Sequence, residues 1–296
     1  LNPVAVLITK ALIEIPPKFA GKRPVNPEAR KKLDHSKEWR GAEGLAEDVR
    51  YYGQWMRDEA EKRIGHLYPK VKLPKEQGGG EATVIAWLWA RTVKCPNPAC
   101  GAQMPLVRSF WLSTKTGKKA WIAPKVDKKS RTVSFEVSTG SGSPPEGTVN
   151  RRGAACIVCG IPVPFDHIRS EGKAGRMTAR LIAVVAEGNR NRVYFSPLLD
   201  HEQIAGSVKP KWRPQTELLG KAAVNVSLYG IRVHGDLFTP RQLMALSTFS
   251  ELLGVARERV LADARRAGLP DNGSSLEDGG NMAPPLMRTP WPRTWD

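Results

Sequence analysis

The amino-acid sequence predicts an α+β fold in which a small β unit carries four cysteines and long amphipathic helices flank it. Three observations lead to this class. Apolar residues recur at helical spacing near both ends, short β-rich segments fill the middle, and all four cysteines fall within that middle part. The predicted order is a helical segment, the β unit, a hairpin with an irregular connection, a long helix and a tail, at residues 1–80, 81–168, 169–235, 236–270 and 271–296.

Two helices are predicted in the first segment. Residues 2–15 carry a helical apolar pattern, with Asn2 as the cap and Pro3 in the first turn, and the proline pair at 16–17 should end this helix. Residues 42–67 form a longer helix, because apolar side chains at three- and four-residue spacing make one stripe along it. The first segment is therefore predicted to be largely helical.

Short strands are predicted throughout the β unit. Residues 81–93 are apolar on both faces and rich in β-formers, which is typical of a buried strand, and Trp87 and Trp89 within it are predicted to be core. A hairpin should span residues 181–195, whereas the stretch 196–228 carries several prolines and should be irregular. Further strands are predicted at 106–113, 119–123 and 132–137.

A second long helix is predicted near the end of the chain. Thr239 can cap it, Pro240 fits its first turn, and Gln242 stands at the reciprocal capping-box position. The apolar pattern continues to residue 267, and Gly268 provides the stop. Beyond residue 271 the sequence is rich in glycine, proline and tryptophan without periodicity, so a disordered or loosely docked tail is predicted.

The four cysteines form two short-spaced pairs, Cys95 with Cys100 in KCPNPACG and Cys156 with Cys159 in ACIVCG. Turn-forming residues surround each pair, and an apolar run leads into it. Two such turns can supply the four deprotonated ligands of a tetrahedral site, so we predict a structural zinc site in a zinc ribbon. Two disulfides or free buried thiols are the alternative. The histidines are scattered, and His167 follows Cys159 too closely to be needed as a ligand.

The formal net charge of +17 indicates a polyanionic partner, and DNA or RNA is the prediction. Phe110, Trp111, Trp121 and Phe135 are interleaved with the basic clusters, an arrangement typical of phosphate contacts combined with base stacking. The alternative is that the tryptophans are core and the charges solvate turns. The predicted nucleic-acid contacts are Lys118, Lys119, Lys128, Lys129, Arg131, Arg151, Arg152 and Arg176.

Neither a membrane segment nor a familiar catalytic motif is visible in the sequence. The longest apolar runs, 4–8 and 181–186, are far too short to span a bilayer, and no signal peptide pattern occurs. We therefore predict an intracellular, cytoplasmic protein. The sequence contains no phosphate-binding P-loop, no GxSxG and no HExxH motif.

Four segments resemble one known family, namely LNPVAVLITKALIEIPPKF, WRGAEGLAEDVRYYGQWM, ATVIAWLWARTVKCPNPACGAQMPL and YGIRVHGDLFTPRQLMAL. Together they are similar to the large adenine-specific DNA methylases that carry a zinc-ribbon insertion, which are enzymes of prokaryotic restriction-modification and phage-defence loci. The resemblance covers most of residues 1–280. It implies that the chain is an incomplete part of an α/β Rossmann-like methyltransferase.

The resemblance places the chain in the middle of such an enzyme. The S-adenosylmethionine loop of the family, of the type DPFxGGG, precedes a segment like Asn2-Pro3, and the catalytic Asp/Asn-Pro-Pro-aromatic motif follows a segment like 235–242. Neither motif is in this chain, and residues 143–146 read Ser-Pro-Pro-Glu, without the acid or amide and the aromatic residue. The resemblance implies that S-adenosylmethionine would bind only to a full-length parent, with Asn2 and Pro3 near its adenosine.

The resemblance also bears on the cysteines and on two residues near the second long helix. All four cysteines match the zinc ribbon of the family residue by residue. Arg241 and Gln242 match a family motif whose role does not follow from the sequence, and helix capping is the simpler role for Gln242.

Three functions stand as hypotheses. The first is a part of a DNA adenine methyltransferase that contributes zinc-stabilised DNA binding and target recognition but no chemistry of its own. Its partners would be DNA and the remainder of the methyltransferase or other defence-system subunits. The second is a stand-alone zinc-ribbon protein that binds nucleic acid without enzymatic activity. The third is a scaffold whose basic face binds an acidic protein.

Overall fold

The computed structural model of the protein describes residues 2–32, 38–189 and 191–269. The α+β class predicted from the sequence is confirmed, because helices and antiparallel sheets are both present. The chain forms two compact units, one from Leu1–His66 with Ala245–Asp296 and one from Leu67–Met244. They are named the terminal unit and the central unit.

The secondary structure of the described residues runs as follows. The helices are α1 (Pro3–Thr9), α2 (Ile15–Lys18), α3 (Pro27–Lys31), α4 (Glu43–Ile64), α5 (Phe165–Lys173), α6 (Leu199–Ser207), α7 (Gly220–Val226) and α8 (Pro240–Arg266). The strands are β1 (Val71–Lys72), β2 (Glu81–Ala82), β3 (Val84–Lys94), β4 (Gln103–Leu106), β5 (Trp111–Ser113), β6 (Ala120–Asp127), β7 (Thr132–Thr139), β8 (Val149–Asn150), β9 (Gly153–Ala155), β10 (Pro162–Val163), β11 (Thr178–Glu187) and β12 (Arg192–Phe195).

The prediction that the proline pair at 16–17 ends the first helix is wrong. Asn2 caps α1 as predicted, because its Oδ1 accepts the Val4 N–H at 2.9 Å. The helical path then continues through a π-helical turn at Lys10–Glu14 and through α2 up to Lys18. Both proline rings lie in the first turn of α2, where the missing amide N–H costs little.

A buried tyrosine–aspartate hydrogen bond joins α4 to α8 within the terminal unit. The Tyr52 hydroxyl donates to Asp263 Oδ2 at 2.9 Å, and both residues are buried. Arg266 Nη1 donates to the other carboxylate oxygen at 3.1 Å. Burial and then the hydrogen bond to Asp263 raise the pKa of Tyr52, so the phenol stays protonated and keeps donating.

Replacing Tyr52 by phenylalanine is expected to lower the free energy of unfolding by about 1–2 kcal/mol, because Asp263 Oδ2 is left buried without its donor. Tyr51→Phe, at the half-buried neighbour, is the matched control and should cost less than about 0.5 kcal/mol. Urea unfolding followed by circular dichroism measures both variants. Equal losses of unfolding free energy would contradict a stabilising role for the Tyr52–Asp263 hydrogen bond. Because the pKa of Tyr52 is raised, the stability that its hydroxyl adds is fully present below the ordinary phenol pKa of about 10 and is lost as the pH rises further. The difference in free energy of unfolding between wild type and Tyr52→Phe should therefore disappear at strongly alkaline pH.

A four-stranded antiparallel sheet in the order β12-β11-β3-β4 lies in the central unit. β3 and β11 are its inner strands, with Val184 opposite Trp87. Residues 181–186 are buried throughout, which explains why this strand is apolar on both faces. The predicted hairpin across 188–191 is confirmed, because β11 and β12 pair antiparallel. Trp87 and Trp89 are half-buried and pack against the buried cluster at this sheet.

The single strand predicted at 106–113 is wrong, because the chain changes sheets there. β4 ends at Leu106, β5 begins at Trp111, and Phe110 between them is fully buried among residues of both sheets. Burial of this ring contributes about 2–3 kcal/mol, more than the roughly 1 kcal/mol of a ladder hydrogen bond given up at the bend. The chain then forms the three-stranded sheet β5-β6-β7, while β8, β9 and β10 form another.

Two helices contradict the prediction that residues 196–228 are irregular, and α5 was not predicted either. All three are short, so their apolar patterns are weak signals, and tertiary packing decides them. α5 buries Ile168, and α6 buries His201, whose Nδ1 accepts the Trp87 indole N–H at 2.9 Å. The tail predicted at 271–296 lies outside the described residues. Within the described part of the chain, no helix has the length and apolar character needed to cross a bilayer.

Candidate metal centre and adjoining basic cleft

The two cysteine pairs lie in two hairpin turns of the central unit. Cys95 and Cys100 lie between β3 and β4, and Cys156 and Cys159 lie between β9 and β10. Backbone hydrogen bonds close both turns, from Cys95 N–H to the Ala102 carbonyl at 2.8 Å and from Cys156 N–H to that of Ile161 at 2.9 Å. Glycines at 101 and 160 take the left-handed conformation that each turn requires, with φ of 58° and 77°.

The four thiol sulfurs form one compact cluster, and all lie within 4.8 Å of one another. The Sγ–Sγ distances are 3.7 Å from Cys95 to Cys159 and 3.9 Å from Cys100 to Cys156. These are far above the S–S bond of about 2.05 Å, and all four cysteines are free. A tetrahedron with metal–sulfur bonds of 2.3 Å has edges of about 3.8 Å. The tetrad could therefore hold a metal ion, and its geometry is compatible with zinc.

The environments of the cysteines differ. Cys95, Cys100 and Cys156 are buried and Cys159 is exposed. Burial raises the pKa of Cys95 to about 12 and also raises the pKa of Cys156. The Ile161 N–H lowers the pKa of Cys159 to about 7 by donating to its sulfur. Buried thiolates need a cation beside them, which a metal ion held by all four would supply.

Asn97 organises the first turn more extensively than its sequence position suggests. Its carbonyl accepts the N–H groups of Cys100 and Gly101 at 2.9 Å each, and its Oδ1 accepts that of Ala99 at 3.0 Å. Its amide nitrogen lies 3.9 Å from Cys159 Sγ, which links the two turns. The sequence marks Asn97 only as a turn residue.

A cleft of about 1210 Å³ borders the first cysteine turn. Four cationic side chains line it, and Glu171 is the acidic residue among its lining. His167 also lines it, with Nε2 2.9 Å from the Lys94 carbonyl, and it is not among the clustered metal ligands. The four cations are Lys94, Arg131, Arg176 and Arg180.

Arg131 reaches this cleft through an unusual backbone conformation. It lies in the turn between β6 and β7 with φ of 58°, a left-handed value that non-glycine residues rarely adopt. Asp127 orders the same turn, because it accepts the Ser130 hydroxyl at 2.7 Å and the Lys129 N–H at 2.8 Å. These hydrogen bonds, that from the Ser130 side chain first, lower the pKa of Asp127. The guanidinium of Arg131 ends 3.5 Å from the Cys100 carbonyl.

Two of the four cations are held by carboxylates. Arg176 forms a forked pair with Glu171, with contacts of 2.6 to 3.2 Å, and this hydrogen bond lowers the pKa of Glu171. Arg180 Nε donates to Glu202 at 3.0 Å. Within the described residues, neither Lys94 nor Arg131 forms an ion pair, so both keep their charge available.

The structure brings some of the predicted nucleic-acid residues together and separates others. Arg131 and Arg176 meet in the cleft, and exposed Lys128 and Lys129 share the turn of Arg131. Lys118 and Lys119 lie at the other end of β6, about 25 Å away along its eight residues, and Arg151 and Arg152 lie in the turn between β8 and β9. Sequence reasoning missed Lys94, which immediately precedes Cys95, and did not select Arg180.

Two of the four aromatic residues predicted to stack on bases are unavailable for it. Phe110 and Phe135 are buried in the core, so that prediction is wrong for them. Trp111 and Trp121 are half-buried and pack edge to face, with ring centroids 5.9 Å apart. The alternative, in which the tryptophans are core, is met only in part, because both indole rings are half-buried.

Gln242 and Arg241, at the start of α8, have clear local roles. Gln242 completes a capping box, since its Oε1 accepts the Thr239 N–H at 2.9 Å and the Thr239 hydroxyl accepts the Gln242 N–H at 3.3 Å. Arg241 is buried, and its guanidinium lies 4.2 Å from the ring centroid of Trp87. The suggested place of Asn2 and Pro3 beside a cofactor stays a prediction.

These features define an α+β protein with a four-cysteine centre that could hold a metal ion and with a basic cleft beside it. No family model, no curated protein and no solved structure matches the chain. The sequence and this geometry are therefore what a function must be argued from.

Proposed function

We propose that the chain is a zinc-stabilised DNA-binding module that serves target recognition in an S-adenosylmethionine-dependent DNA adenine methyltransferase. The observation that carries the DNA-binding part is the thiol tetrad with a cleft lined by four cations at its side. The methyltransferase part is supported by the resemblance of four segments to that family.

Zinc is the proposed ion, and its role is structural. Cys95, Cys100, Cys156 and Cys159 would occupy all four tetrahedral positions, which leaves none for water or substrate. Bound zinc would cross-link two turns that are more than fifty residues apart in sequence, as in a zinc ribbon. The chain itself supplies the turn geometry, the burial and the Asn97 contact that hold the thiols in place.

DNA is the proposed partner because of the distribution of charge around the tetrad. Lys94 and Arg131 line the cleft without ion pairs in the described residues, and Lys128 and Lys129 are exposed in the adjoining turn. The net charge of +17 adds long-range attraction for phosphate. Backbone phosphates fit such a surface better than a neutral ligand would.

The methyltransferase assignment makes a claim about the parent enzyme. A Rossmann-like core with the S-adenosylmethionine loop and the Asp/Asn-Pro-Pro-aromatic motif would lie in the remainder of that enzyme. The chain alone should then transfer no methyl group to adenine, and its gene should continue into both motifs. Sequencing the parent gene on either side decides this, and a gene without them would refute the assignment.

A stand-alone nucleic-acid-binding protein is the second candidate. One observation favours it: the tetrad and every residue of the cleft lie in the central unit, so binding needs no other part of a larger enzyme. The zinc and DNA predictions are the same for this candidate. It differs only in predicting a gene without the two methyltransferase motifs.

DNA binding is expected to be strongly salt-dependent and to weaken when the turn between β6 and β7 loses charge. Fluorescence anisotropy of a labelled duplex at several salt concentrations measures the slope of log Kd against log salt concentration. Lys128→Gln with Lys129→Gln should reduce that slope by up to about 2, because each lost phosphate contact removes about 0.9. Lys72→Gln with Lys75→Gln, exposed residues at β1 and after it, remove the same charge elsewhere and should leave the slope nearly unchanged. Equal changes in both double variants, or no binding by wild type, would refute the proposed surface.

A further inference from the structure

A second pocket of the central unit, with a volume of about 700 Å³, shares no lining residue with the cleft beside the cysteines. Its walls come from β3, β4, α5, α7 and the beginning of α8. They are mostly apolar and include the rings of Phe165, Tyr229 and Phe238. The volume is that of a site for one small ligand or for one unit of a polymer.

A close approach of two backbone segments builds one wall of this pocket. A Cβ atom at Gly172 in α5 would lie 2.6 Å from the Tyr229 carbonyl oxygen, and one at Gly230 would lie 2.3 Å from the Gly172 carbonyl oxygen. Gly230 also has φ of 84°. Only glycine at both positions lets the turn at Ser227–Tyr229 pack directly on α5, which fixes Tyr229 in the wall. The pocket is therefore pre-formed.

Two arginines give this apolar pocket its charge. Arg91 in β3 pairs with Leu106 in β4, and Arg108 follows two residues after Leu106, so both line the same pocket. Both are exposed, and within the described residues no carboxylate pairs with either. Arg213, which also lines the pocket, is already paired with Asp236. Two guanidinium groups are thus left to bind an anion from outside the chain.

An apolar pocket with aromatic walls and two unpaired guanidinium groups fits a ligand that has a flat ring and a phosphate. We propose that it binds one unstacked nucleotide, with the base against Phe165, Tyr229 and Phe238 and the phosphate at Arg91 and Arg108. Base–aromatic contact and arginine–phosphate pairing are the two terms by which proteins hold unpaired nucleotides. The proposal deepens the proposed DNA binding and rests on it for the source of the nucleotide, although a free nucleotide has the same chemistry.

Two fluorescent probes test the pocket and distinguish these sources. One is 2-aminopurine deoxyriboside 5′-monophosphate, and the other is a short single-stranded oligonucleotide with one 2-aminopurine. Stacking quenches this base, so titration of the full chain should lower the fluorescence of at least one probe. Arg91→Gln with Arg108→Gln should raise the Kd at least about tenfold, the effect of losing two charge-assisted contacts. Lys72→Gln with Lys75→Gln is the charge-matched control, expected within about twofold of wild type.

A variant that removes an aromatic side chain tests the pocket without changing its charge. Phe238 is 39 % exposed, so Phe238→Ala should fold normally, yet it should weaken binding about fivefold or more and reduce the quenching. Quenching of the strand alone assigns the nucleotide to nucleic acid, and quenching of both probes admits a free nucleotide; either outcome supports the pocket. Unquenched probes, or equal losses in the arginine and lysine double variants, would overturn it.

Duplex binding measured in parallel separates this proposal from the proposed function. If the duplex binds with the expected salt dependence while both probes stay unquenched, the pocket proposal fails and the DNA-binding function stands. If the duplex does not bind but the free nucleotide does, and Arg91→Gln with Arg108→Gln abolishes that binding, the pocket stands and the DNA-binding function fails.

Discussion

Replacing Cys156 by serine is expected to abolish the binding of one zinc ion per chain and to unfold the region around both cysteine turns. Serine is a poor zinc ligand because its hydroxyl stays protonated at neutral pH, so three thiols remain for a site that needs four. Zinc ligation contributes on the order of 10 kcal/mol in small zinc domains, comparable with the whole net stability of a folded domain. Elemental analysis of purified protein, with thermal unfolding followed by circular dichroism, measures both losses.

Cys159→Ser distinguishes a metal role from simple packing. Cys159 is exposed and Cys156 is buried. If the thiols served only as packing, Cys159→Ser would be nearly neutral, whereas Cys156→Ser would cost about 1–2 kcal/mol for burying a hydroxyl. If both hold zinc, both variants lose the metal and the same stability. Ala155→Ser is the matched control, because it adds an exposed hydroxyl beside Cys156 and removes no ligand. Wild-type metal content and melting temperature in both cysteine variants would refute the zinc site.

The cysteine turns were predictable because everything that forms them is local. Cys95 and Cys100 are brought together by the residues between them, and the same holds for the second pair. Turn residues at such short range specify backbone geometry almost without help from the rest of the fold. That the two turns meet required one further assumption, a shared metal ion, and the sulfur distances agree with it.

The basic cleft was only partly predictable, because it depends on which segments lie side by side. Along the chain, β7, the three-stranded sheet β8-β9-β10 and α5 separate Arg131 from Arg176, and Lys94 reaches the cleft because it is the last residue of β3. No sequence pattern marks the left-handed backbone of Arg131 or the carboxylate partner of Arg176. The sequence shows the positive charge. Which cationic side chains cluster, and which of them are neutralised by carboxylates, depends on the tertiary structure.

The errors in the fold prediction have the same origin. The break at Phe110 arises because one buried ring between two sheets outweighs the continuation of a strand. The short helices α6 and α7 form where prolines suggested irregular structure, since the prolines fall outside the helices themselves. In each case packing decided a segment whose local preference was weak.

Substitution of Arg241 is expected to cause the second large loss of stability, because this residue is a buried cation without a carboxylate partner in the described residues. Its guanidinium lies 4.2 Å from the Trp87 ring centroid and 5.1 Å from that of Tyr68. Its Nη1 donates to the Leu67 carbonyl at 3.2 Å, and the Tyr68 hydroxyl donates back to the Arg241 carbonyl at 3.1 Å. Burial lowers the pKa of Arg241, because loss of water around the guanidinium disfavours its charged form. Two aromatic faces and one carbonyl offset this loss of water.

Arg241→Ala is therefore expected to destabilise the protein by about 3–5 kcal/mol, the sum of about 2 for a desolvated cation–π contact and 1–3 for the unpaired Leu67 carbonyl. Arg241→Lys should still cost about 1–2 kcal/mol, because an ammonium group cannot stack as a planar group does. Arg241→Met separates charge from packing, since it fills similar space without a donor, and about 2 kcal/mol is expected. Urea unfolding measures all three against Arg232→Ala, an exposed arginine whose loss should cost less than about 0.5 kcal/mol. A methionine variant as stable as wild type would mean that Arg241 only fills space, because apolar replacements of buried ions are tolerated when the charge itself adds nothing.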